Sequence, residues 1–547
     1  MPQIGRLWRT IRYLKWRQVI GRARFRLVRP PLSLSSTTGL RQPEGRWVRP
    51  AQRKASLIGP DAFRFLGESG SLEELGWDGE ERSKLWRYNQ HYFDDLNAAG
   101  SQGRRHWHKK LIDRWILENP PTAGSGWEPY PTSLRIVNWI KFALDGNQLP
   151  DRVQQSLAIQ ARWLSKRLEW HLLGNHLFAN AKALVFAGLF FDGYEACGWL
   201  ATGLKILSEE LEEQVLTDGA QFELSPMYHA LAVEDILDLI NVFRAYSRIG
   251  LAQDFAYRMP AMLRWLFTMS HPDGDIAFFN DAAIGVAPDN AELNRYAQEL
   301  GFVVEPPADG ITHQAHSGYV RMALGPAVVL ADVACVGPDY LPGHAHADTL
   351  SFELSLLGKR LIVNSGTSEY GSGPERQRQR GSAAHSTLLL NNENSSEVWS
   401  GFRVGRRAKP FEVAVWQDGG SLVVTGAHDG YTHLPGRPVH RREWRLSEGG
   451  LLVEDTVEGS GIHRIDVYFH LAPYIDAIFD IRKNNINLST LDKSWHGSFL
   501  ADCGIVQILP SSWHPEFGRR IETAVICVSI QQPLPQTVRC ELKWRIS

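Results

Sequence analysis

The sequence predicts an α+β molecule with two structural parts, a helical part followed by an antiparallel β-sandwich. Three observations support this prediction. The chain has 547 residues, which is too long for a single hydrophobic core. Apolar residues recur at intervals of three and four from about residue 80 to 305. After about residue 312 the pattern changes to short runs rich in Val, Leu, Tyr and Phe, bounded by turn-forming residues.

The helical part reads as a series of helices of similar length joined by short connections. Pro, Gly and Asp residues separate most of the periodic segments from one another. The segments are His106–Leu117, Thr132–Leu144, Asp151–Glu169, Asn175–Phe191, Thr202–Leu216, Tyr228–Ile249 and Asp254–Met269. This organisation is typical of antiparallel helical hairpins.

The second part reads as many closely spaced strands, which favours an antiparallel sandwich. The predicted strands are Gly318–Leu324, Ala327–Ala334, Leu350–Leu356, Arg360–Val363, Ser386–Leu390, Glu412–Val415, Leu422–Thr425, Arg442–Leu446, Leu451–Glu454 and Ile465–Phe469. We therefore predict three regions: a basic N-terminal segment over residues 1–45, a helical domain over 46–305 and a β-sandwich domain over 312–547.

The N-terminal segment has a charge pattern of its own. Residues 1–43 contain ten Lys and Arg residues and no acidic residue, although the whole chain has a net charge of −1. Ile4, Leu7, Trp8, Ile11 and Leu14 recur there at helical spacing. Such a helix either lies on an anionic membrane surface or packs its apolar stripe against the main body.

Three features of the sequence bear on the expected cellular location of the chain. No apolar run approaches the roughly 18 residues needed to span a bilayer, and no secretory signal is apparent at the N-terminus. The five cysteines are scattered and form no C-x-x-C pair, which favours a reducing compartment. The expected location is therefore the cytoplasm or the periphery of the inner membrane.

The most informative stretch runs from Gly343 to Lys409. It contains His344, His346, Asp348, Asn364 and His385. Imidazoles transfer protons or bind metals near neutral pH. On a strand, the two histidines of the His-x-His pair would project from the same face.

Three polar segments stand out in the helical part. They are the runs from Trp127 to Trp139, from His171 to Lys182 and from Asp218 to His229. Together with the histidine-rich stretch, they resemble the heparinase II/III family of polysaccharide lyases across nearly the whole chain. The matching motifs are Tyr130-Pro131 with Arg135 and Asn138-Trp139; Gly174-Asn175-His176 with Asn180; Asp218-Gly219 with Glu223, Ser225-Pro226 and Tyr228-His229; Phe279-Asn280-Asp281; Gly343 to Asp348; Asn364 to Thr367; Ala384 to Thr387; and Glu397 with Trp399.

The resemblance implies an incomplete (α/α) toroid followed by an antiparallel β-sandwich, with the active site in the cleft between them. It also implies β-elimination at a uronic acid residue of an acidic polysaccharide. In this family pattern, Asn175 neutralises the uronate carboxylate, and Tyr228 and His344 act as acid and base. The candidates for substrate binding are Tyr130, Arg135, Asn138, His176, Glu223, His229, Arg380 and Arg403.

The resemblance further implies that His346, Asn364 and His385 hold a structural divalent metal (zinc or calcium) or shape the floor of the cleft. The family commonly has an aspartate at the position of Asn364. Because an asparagine offers only a neutral carbonyl oxygen, metal binding here would be weaker, and a hydrogen-bonded network is the alternative. The chemistry itself is expected to require no cofactor.

The expected partner is an acidic polysaccharide, with no nucleic acid, and a periplasmic location is the family-based alternative. Two other functions stay open. One is a glycan-binding or glycan-processing protein in exopolysaccharide or surface-glycan assembly. The other is a glycoside hydrolase on an (α/α) toroid, for which Glu128, Asp218 and Glu223 supply carboxyl groups but no complete pair motif.

Overall fold

A computed structural model of the chain describes residues 2–36, 39–480 and 485–545. The helices in these residues are α1 (Pro2–Ile11), α2 (Trp16–Leu27), α3 (Leu72–Leu75), α4 (Lys84–Tyr92), α5 (Arg105–Glu118), α6 (Pro129–Leu144), α7 (Asp151–Lys166), α8 (Gly174–Phe190), α9 (Tyr194–Gln214), α10 (Pro226–Ala245), α11 (Ile249–Ala256), α12 (Met259–Thr268), α13 (Asn290–Glu299) and α14 (Pro374–Arg380). Short 3-10 helices cover Asp94–Asn97, Ser101–Arg104, Ser125–Trp127 and Ser382–Ala384.

The strands lie mainly in the second half of the chain. They are β1 (Ala62–Phe65), β2 (Glu68–Ser71), β3 (Gly310–Gln314), β4 (Tyr319–Leu324), β5 (Ala327–Asp332), β6 (Phe352–Leu356), β7 (Lys359–Ile362), β8 (Leu388–Leu390), β9 (Val398–Trp399), β10 (Arg403–Val404), β11 (Pro410–Asp418), β12 (Ser421–His428), β13 (Val439–Ser447), β14 (Gly450–Glu458), β15 (Ile462–His470), β16 (Ile475–Asp480), β17 (Asn485–Thr490), β18 (His496–Ala501), β19 (Ile505–Trp513), β20 (Ile521–Pro533) and β21 (Gln536–Arg545).

The predicted fold class is confirmed, with a helical toroid followed by an antiparallel β-sandwich. Close packing of α8 on α9 shows how the helical hairpins form. A Cβ added at Gly188 would lie 2.6 Å from the amide nitrogen of Leu200, and one added at Gly203 would lie 2.7 Å from the carbonyl oxygen of Ala181. Two glycines therefore allow the backbones of these neighbouring helices to approach closely. Almost all of α8 is buried as a result.

The sandwich consists of three antiparallel sheets. Their strand orders are β3-β4-β5-β6-β7, β19-β20-β15-β8 and β11-β12-β13-β14-β21-β18-β17-β16. In β13 the burial alternates strictly, with His440, Arg442, Trp444 and Leu446 inside. This alternation is the period-two pattern of a strand with one buried face. A single core joins the sheets and includes Met322, Phe352, Trp444 and Leu451 together with their neighbours.

Several elements differ from the sequence prediction. The single helix predicted over Asp254–Met269 is divided between α11 and α12, because Pro260 lies in the first turn of a new helix. The strands after Phe469, which form β16 to β21, were not predicted. Among the described residues, no helix combines the length and apolar character needed to cross a membrane.

Candidate active site

A buried carboxylate organises the centre of the cleft. His344 and His346 lie in the loop between β5 and β6 rather than on a strand, and both turn towards Asp281. The Nδ1 atom of His344 lies 2.9 Å from Oδ2 of Asp281, and Nε2 of His346 lies 2.8 Å from Oδ1. Arg376 of α14 donates to both carboxylate oxygens, at 2.7 Å from Nη2 to Oδ2. Asp281 therefore fixes the orientation of both imidazole rings.

The electrostatics of this group favour an ionised Asp281. Burial opposes its ionisation, but the Arg376 guanidinium and the hydrogen bonds from His344 and His346 outweigh burial and hold the pKa of Asp281 well below its usual range. An ionised acceptor at Nδ1 keeps the proton of a neutral His344 on that atom, as in other His–carboxylate pairs. The Nε2 atom of His344 is then left with a free lone pair.

Tyr228 lies directly against His344. The two ring centroids are 3.9 Å apart, and the Tyr228 hydroxyl lies 2.9 Å from the hydroxyl of Tyr370. The position of Tyr228 follows from the start of α10, where Ser225 accepts a hydrogen bond from the Tyr228 amide and Pro226 occupies the first turn. Burial, followed by the neighbouring Tyr370 and Asp281, raises the pKa of Tyr228 well above its usual value. The hydroxyl is therefore protonated at neutral pH.

Glu223 closes the other side of His344. Its Oε2 atom lies 3.6 Å from Nε2 of His344, and burial raises the pKa of this carboxyl group. The Oε2 atom is buried and has no hydrogen-bond partner among the described residues. An unsatisfied buried acceptor costs about 1–3 kcal/mol. A substrate hydroxyl at this position would supply the missing partner.

The start of α8 adjoins Glu223. Gly174 has a φ of +53°, and a Cβ added there would lie 2.4 Å from Leu341 and 3.3 Å from Oε1 of Glu223. Asn175 follows Gly174 in the first turn of α8. Asn175 is half-buried, and none of the hydrogen bonds between described side chains involves its amide. Its two N–H donors are therefore available to an oxygen ligand.

His176 follows Asn175 and carries positive charge more readily than an ordinary histidine. Its Nδ1 atom lies 3.2 Å from Oε1 of Glu169. Burial disfavours the imidazolium, but the Glu169 carboxylate outweighs that effect and raises the pKa of His176. The Tyr130 ring lies beside it, with 4.5 Å between the ring centroids. These two predicted substrate-binding residues therefore lie in contact at the start of α8.

Three other predicted substrate-binding residues face the protein interior. Arg135 packs its guanidinium 3.8 Å from the Trp115 ring centroid and donates to Gln160. The Asn138 amide donates to the carbonyl oxygen of Tyr92 and to Asp94, and its oxygen accepts from Asn97. His229 bonds to the backbone of Gln221 and Met262. All three are buried, so any contribution to substrate binding passes through the residues that they support.

The two predicted arginines of the sandwich differ from each other. Arg380 is fully buried and donates to the carbonyl oxygens of Ala345 and Gly401, which anchors the loop that carries the catalytic histidine candidate. Burial lowers its pKa to about 9. Arg403 is exposed and stacks over the Trp399 ring at 4.9 Å. Only Arg403 is therefore accessible to a polyanion approaching from solution.

Two of the candidate metal ligands belong to a compact buried group. Donor atoms of His346, His385 and Asp348 lie within 4.8 Å of one another. The side-chain oxygen of Asn364, the third candidate, accepts a hydrogen bond from the amide of Ser386. Two imidazoles and one carboxylate suit zinc better than calcium, which prefers oxygen ligands. The same atoms also suit a hydrogen-bonded network, because Nδ1 of His346 lies 3.1 Å from Nε2 of His385.

Sequence reasoning gave no site role to three residues of this cluster. Asp281 occurs only as part of a matching motif, and neither Arg376 nor Tyr370 is among the candidate site residues. Asp281 and Arg376 form a buried ion pair across 95 residues of chain, which no local pattern indicates. Tyr370 follows a run of Gly, Ser and Thr, and an aromatic residue in such a loop is the one signal that was available.

Comparison with known protein families covers most of the chain. The profile of the heparinase II/III N-terminus matches residues 99–301, and the heparinase II/III-like C-terminal profile matches residues 306–545. The chain belongs to the heparinase II/III family. Among solved structures of that family, heparinase III superimposes with a TM-score of 0.67 over 88% of this chain and 80% of its own, at 19% identity. The fold is therefore shared at low sequence identity.

Relatives with curated names fall into two groups. A heparin-sulfate lyase of Bacteroides stercoris is 25% identical over 450 residues, which cover 72% of this chain and 65% of the lyase. The chain spans between 48% and 65% of the length of the three heparin-sulfate lyases that it matches. The FtsZ-localized protein C of Caulobacter vibrioides is 26% identical over 543 residues, which cover 92% of this chain and 88% of that protein. This heparinase II/III family member thus resembles both heparin-sulfate lyases and a protein named for its localisation with FtsZ.

Proposed function

We propose that the protein is a polysaccharide lyase that cleaves a uronic-acid-containing glycan by β-elimination. The observation that carries this proposal is the packing of Tyr228 on His344, with the His344 ring held by Asp281. An acid and a base are thereby within reach of one sugar residue, as general acid–base catalysis requires.

The uronate carboxylate needs neutralisation before its C5 proton can leave. The adjacent negative charge makes that proton poorly acidic, and donors that stabilise the developing enolate lower the barrier. The free amide of Asn175 is the proposed donor to this carboxylate. The raised pKa of His176 adds positive charge beside it. Both residues follow Gly174, which adjoins Glu223.

The elimination itself requires one proton to leave and one to arrive. In the proposed step, Nε2 of His344 takes the C5 proton, the electron pair forms the C4–C5 double bond, and the C4–O4 bond breaks. The Tyr228 hydroxyl protonates the departing O4. The hydrogen bond from Nδ1 to Asp281 directs Nε2 of His344 as the accepting atom, and the raised pKa of Tyr228 supports its role as acid.

A bound divalent metal would serve a structural role in this proposal. His346, His385 and Asp348 would hold it. Coordination would restrict the position of His346, which bonds to Asp281. Every proton transfer is carried by residues of the chain.

A lyase assay tests the proposal directly. Purified protein is mixed with heparosan, heparan sulfate, hyaluronan, alginate and a bacterial surface polysaccharide while ultraviolet absorbance is followed, because the unsaturated uronate product absorbs there. We expect a signal with at least one glycan, abolished by Tyr228→Phe and unchanged by Tyr194→Phe, which alters an exposed tyrosine. New reducing ends without absorbance would instead indicate hydrolysis and overturn the proposal.

A second candidate is a glycan-binding protein without lyase activity, acting in surface-glycan assembly. A relative whose name states no lyase activity, the FtsZ-localized protein C, matches more of the chain than the Bacteroides stercoris lyase does, which leaves room for a function without cleavage. Binding of an acidic glycan with equal affinity by the unmodified chain and Tyr228→Phe, without any cleavage, would support this candidate.

A further inference from the structure

The N-terminal helices dock on the protein in an unusual orientation, with their apolar faces turned outwards. Ile4, Leu7, Trp8 and Ile11 of α1 lie on one face and are exposed, Ile4 by 75% and Trp8 by 63%. These positions recur every three to four residues, so they form a single stripe along the helix. The alternative expected from the sequence, in which this stripe packs on the main body, is therefore wrong.

Polar side chains on the opposite face hold α1 in place. Arg9 donates two hydrogen bonds to the Glu397 carboxylate, at 2.9 and 2.8 Å. The indole N–H of Trp399 donates to the Thr10 hydroxyl, and the Arg6 guanidinium lies 4.8 Å from the Trp399 ring centroid. The β9–β10 hairpin thus binds the polar face and leaves the apolar face free.

The second helix repeats this arrangement. Trp16 and Ile20 of α2 are 79% and 64% exposed, and Leu27 continues the same face. On the opposite face, a Cβ added at Gly21 would lie 2.9 Å from the backbone of His171, and the ring centroids of Phe25 and His171 are 4.3 Å apart. Close backbone packing therefore holds α2 on the toroid while its apolar stripe stays outside.

The charge around these stripes identifies the kind of partner that fits them. Arg22, Arg24, Arg26 and Arg29 are exposed and form no ion pair with any carboxylate in the described part of the chain. Residues 1–43 contain no acidic side chain at all. Helices that lie in the headgroup region of a bilayer typically combine exposed apolar residues with basic residues. The exposed Trp and Ile residues beside unpaired Arg residues match this composition. Each Arg near an anionic surface adds attraction, which salt screens.

We propose that α1 and α2 form a peripheral membrane-binding surface for anionic lipid bilayers. The apolar stripes enter the headgroup region, and the free arginines contact lipid phosphates. The polar contacts with the β9–β10 hairpin hold the rest of the protein against the membrane. This surface is independent of the proposed elimination, because none of its residues belongs to the cleft.

Vesicle sedimentation of the full chain tests this proposal. Vesicles contain either phosphatidylcholine alone or phosphatidylcholine mixed with phosphatidylglycerol. We expect binding to the mixed vesicles that weakens with added salt, and little binding to phosphatidylcholine. Combining Trp8→Ser, Trp16→Ser and Ile20→Ser should reduce binding at least tenfold. Changing Arg22, Arg24, Arg26 and Arg29 to Gln should also reduce it tenfold and flatten the salt dependence.

A matched control removes the same number of exposed apolar residues elsewhere. Tyr257→Ser, Val303→Ser and Ile478→Ser alter exposed side chains remote in sequence from the helices and should leave vesicle binding unchanged. Equal binding by the two triple variants would overturn the proposal, as would failure of the unmodified chain to bind mixed vesicles. A dimer that dissociates only in the Trp8, Trp16 and Ile20 variant would also overturn it, because a second copy would then cover this face.

Discussion

The cleft and the N-terminal helices use charged residues in opposite ways. In the cleft, Asp281 is fully buried and is bonded by His344, His346 and Arg376. On α2 and just after it, the four arginines Arg22, Arg24, Arg26 and Arg29 are exposed and unpaired within the described residues. A buried, fully bonded charge fixes geometry, as acid–base chemistry requires. Exposed cations on a helix instead suit a fluid, variable partner.

The largest expected effect comes from breaking the buried network. Asp281→Asn should destabilise the protein by about 3–5 kcal/mol, because it leaves Arg376 buried without its counter-charge. It should also lower lyase turnover, since an amide no longer fixes the tautomer of His344. Chemical denaturation and the absorbance assay measure the two effects. Unchanged stability in this variant would contradict a net contribution of this buried ion pair to folding.

The same variant predicts a difference in acid stability. The pKa of Asp281 is lowered in the folded state, so the stability that its charge provides is present above the pKa of an unfolded aspartate, about 3.9, and is lost as pH falls further. Below about pH 4, the unmodified protein should therefore lose stability more steeply than Asp281→Asn. Parallel curves over that range would contradict the assigned low pKa.

The second effect tests the neutralisation of the uronate. Asn175→Ala should lower kcat by about 10²–10³-fold, as loss of a donor to a developing oxyanion does elsewhere, without loss of stability. Asn487→Ala, which alters an exposed asparagine on β17, is the matched control. If Asn175→Ala retains nearly full turnover, another donor such as His176 neutralises the uronate carboxylate, and the proposed role of Asn175 is wrong.

These residues also show what sequence can and cannot predict. The helix predicted over Tyr228–Ile249 from its apolar period is present, and it begins at Pro226, where the Ser225-Pro226 pair positions Tyr228. The loop conformation that turns His344 and His346 onto Asp281 was not predicted, because alternation suggested a strand. Contacts such as Arg376 with Asp281 depend on the packing of the sandwich on the toroid, and no local period records them.

The outward orientation of the apolar face of α1 could not be predicted from the sequence for the same reason. Its amphipathic pattern was evident, but which face would meet the body depended on Glu397 and Trp399, nearly 390 residues away. The helical period of the apolar residues predicts an apolar face. It does not predict which surface that face contacts.

A smaller effect distinguishes Tyr370 from the residues that contact substrate. Tyr370→Phe removes the hydrogen bond to the Tyr228 hydroxyl and should cost about 0.5–1.5 kcal/mol of transition-state stabilisation, up to roughly tenfold in kcat/KM. The loss should appear in kcat rather than KM, because Tyr370 acts through the proposed acid. A loss as large as that of Tyr228→Phe would instead make Tyr370 a proton donor in its own right.

The smallest expected effect lies in the N-terminal region. Arg9→Gln breaks a partly exposed ion pair with Glu397, and such pairs contribute about 0–1 kcal/mol. The thermal unfolding temperature and lyase turnover should therefore be nearly unchanged. The affinity for mixed vesicles should fall, because α1 is less securely attached to the β9–β10 hairpin. A stability loss comparable to that of Asp281→Asn would show that α1 is an integral part of the fold. The contrast between fixed cleft charges and adaptable surface charges would then not hold.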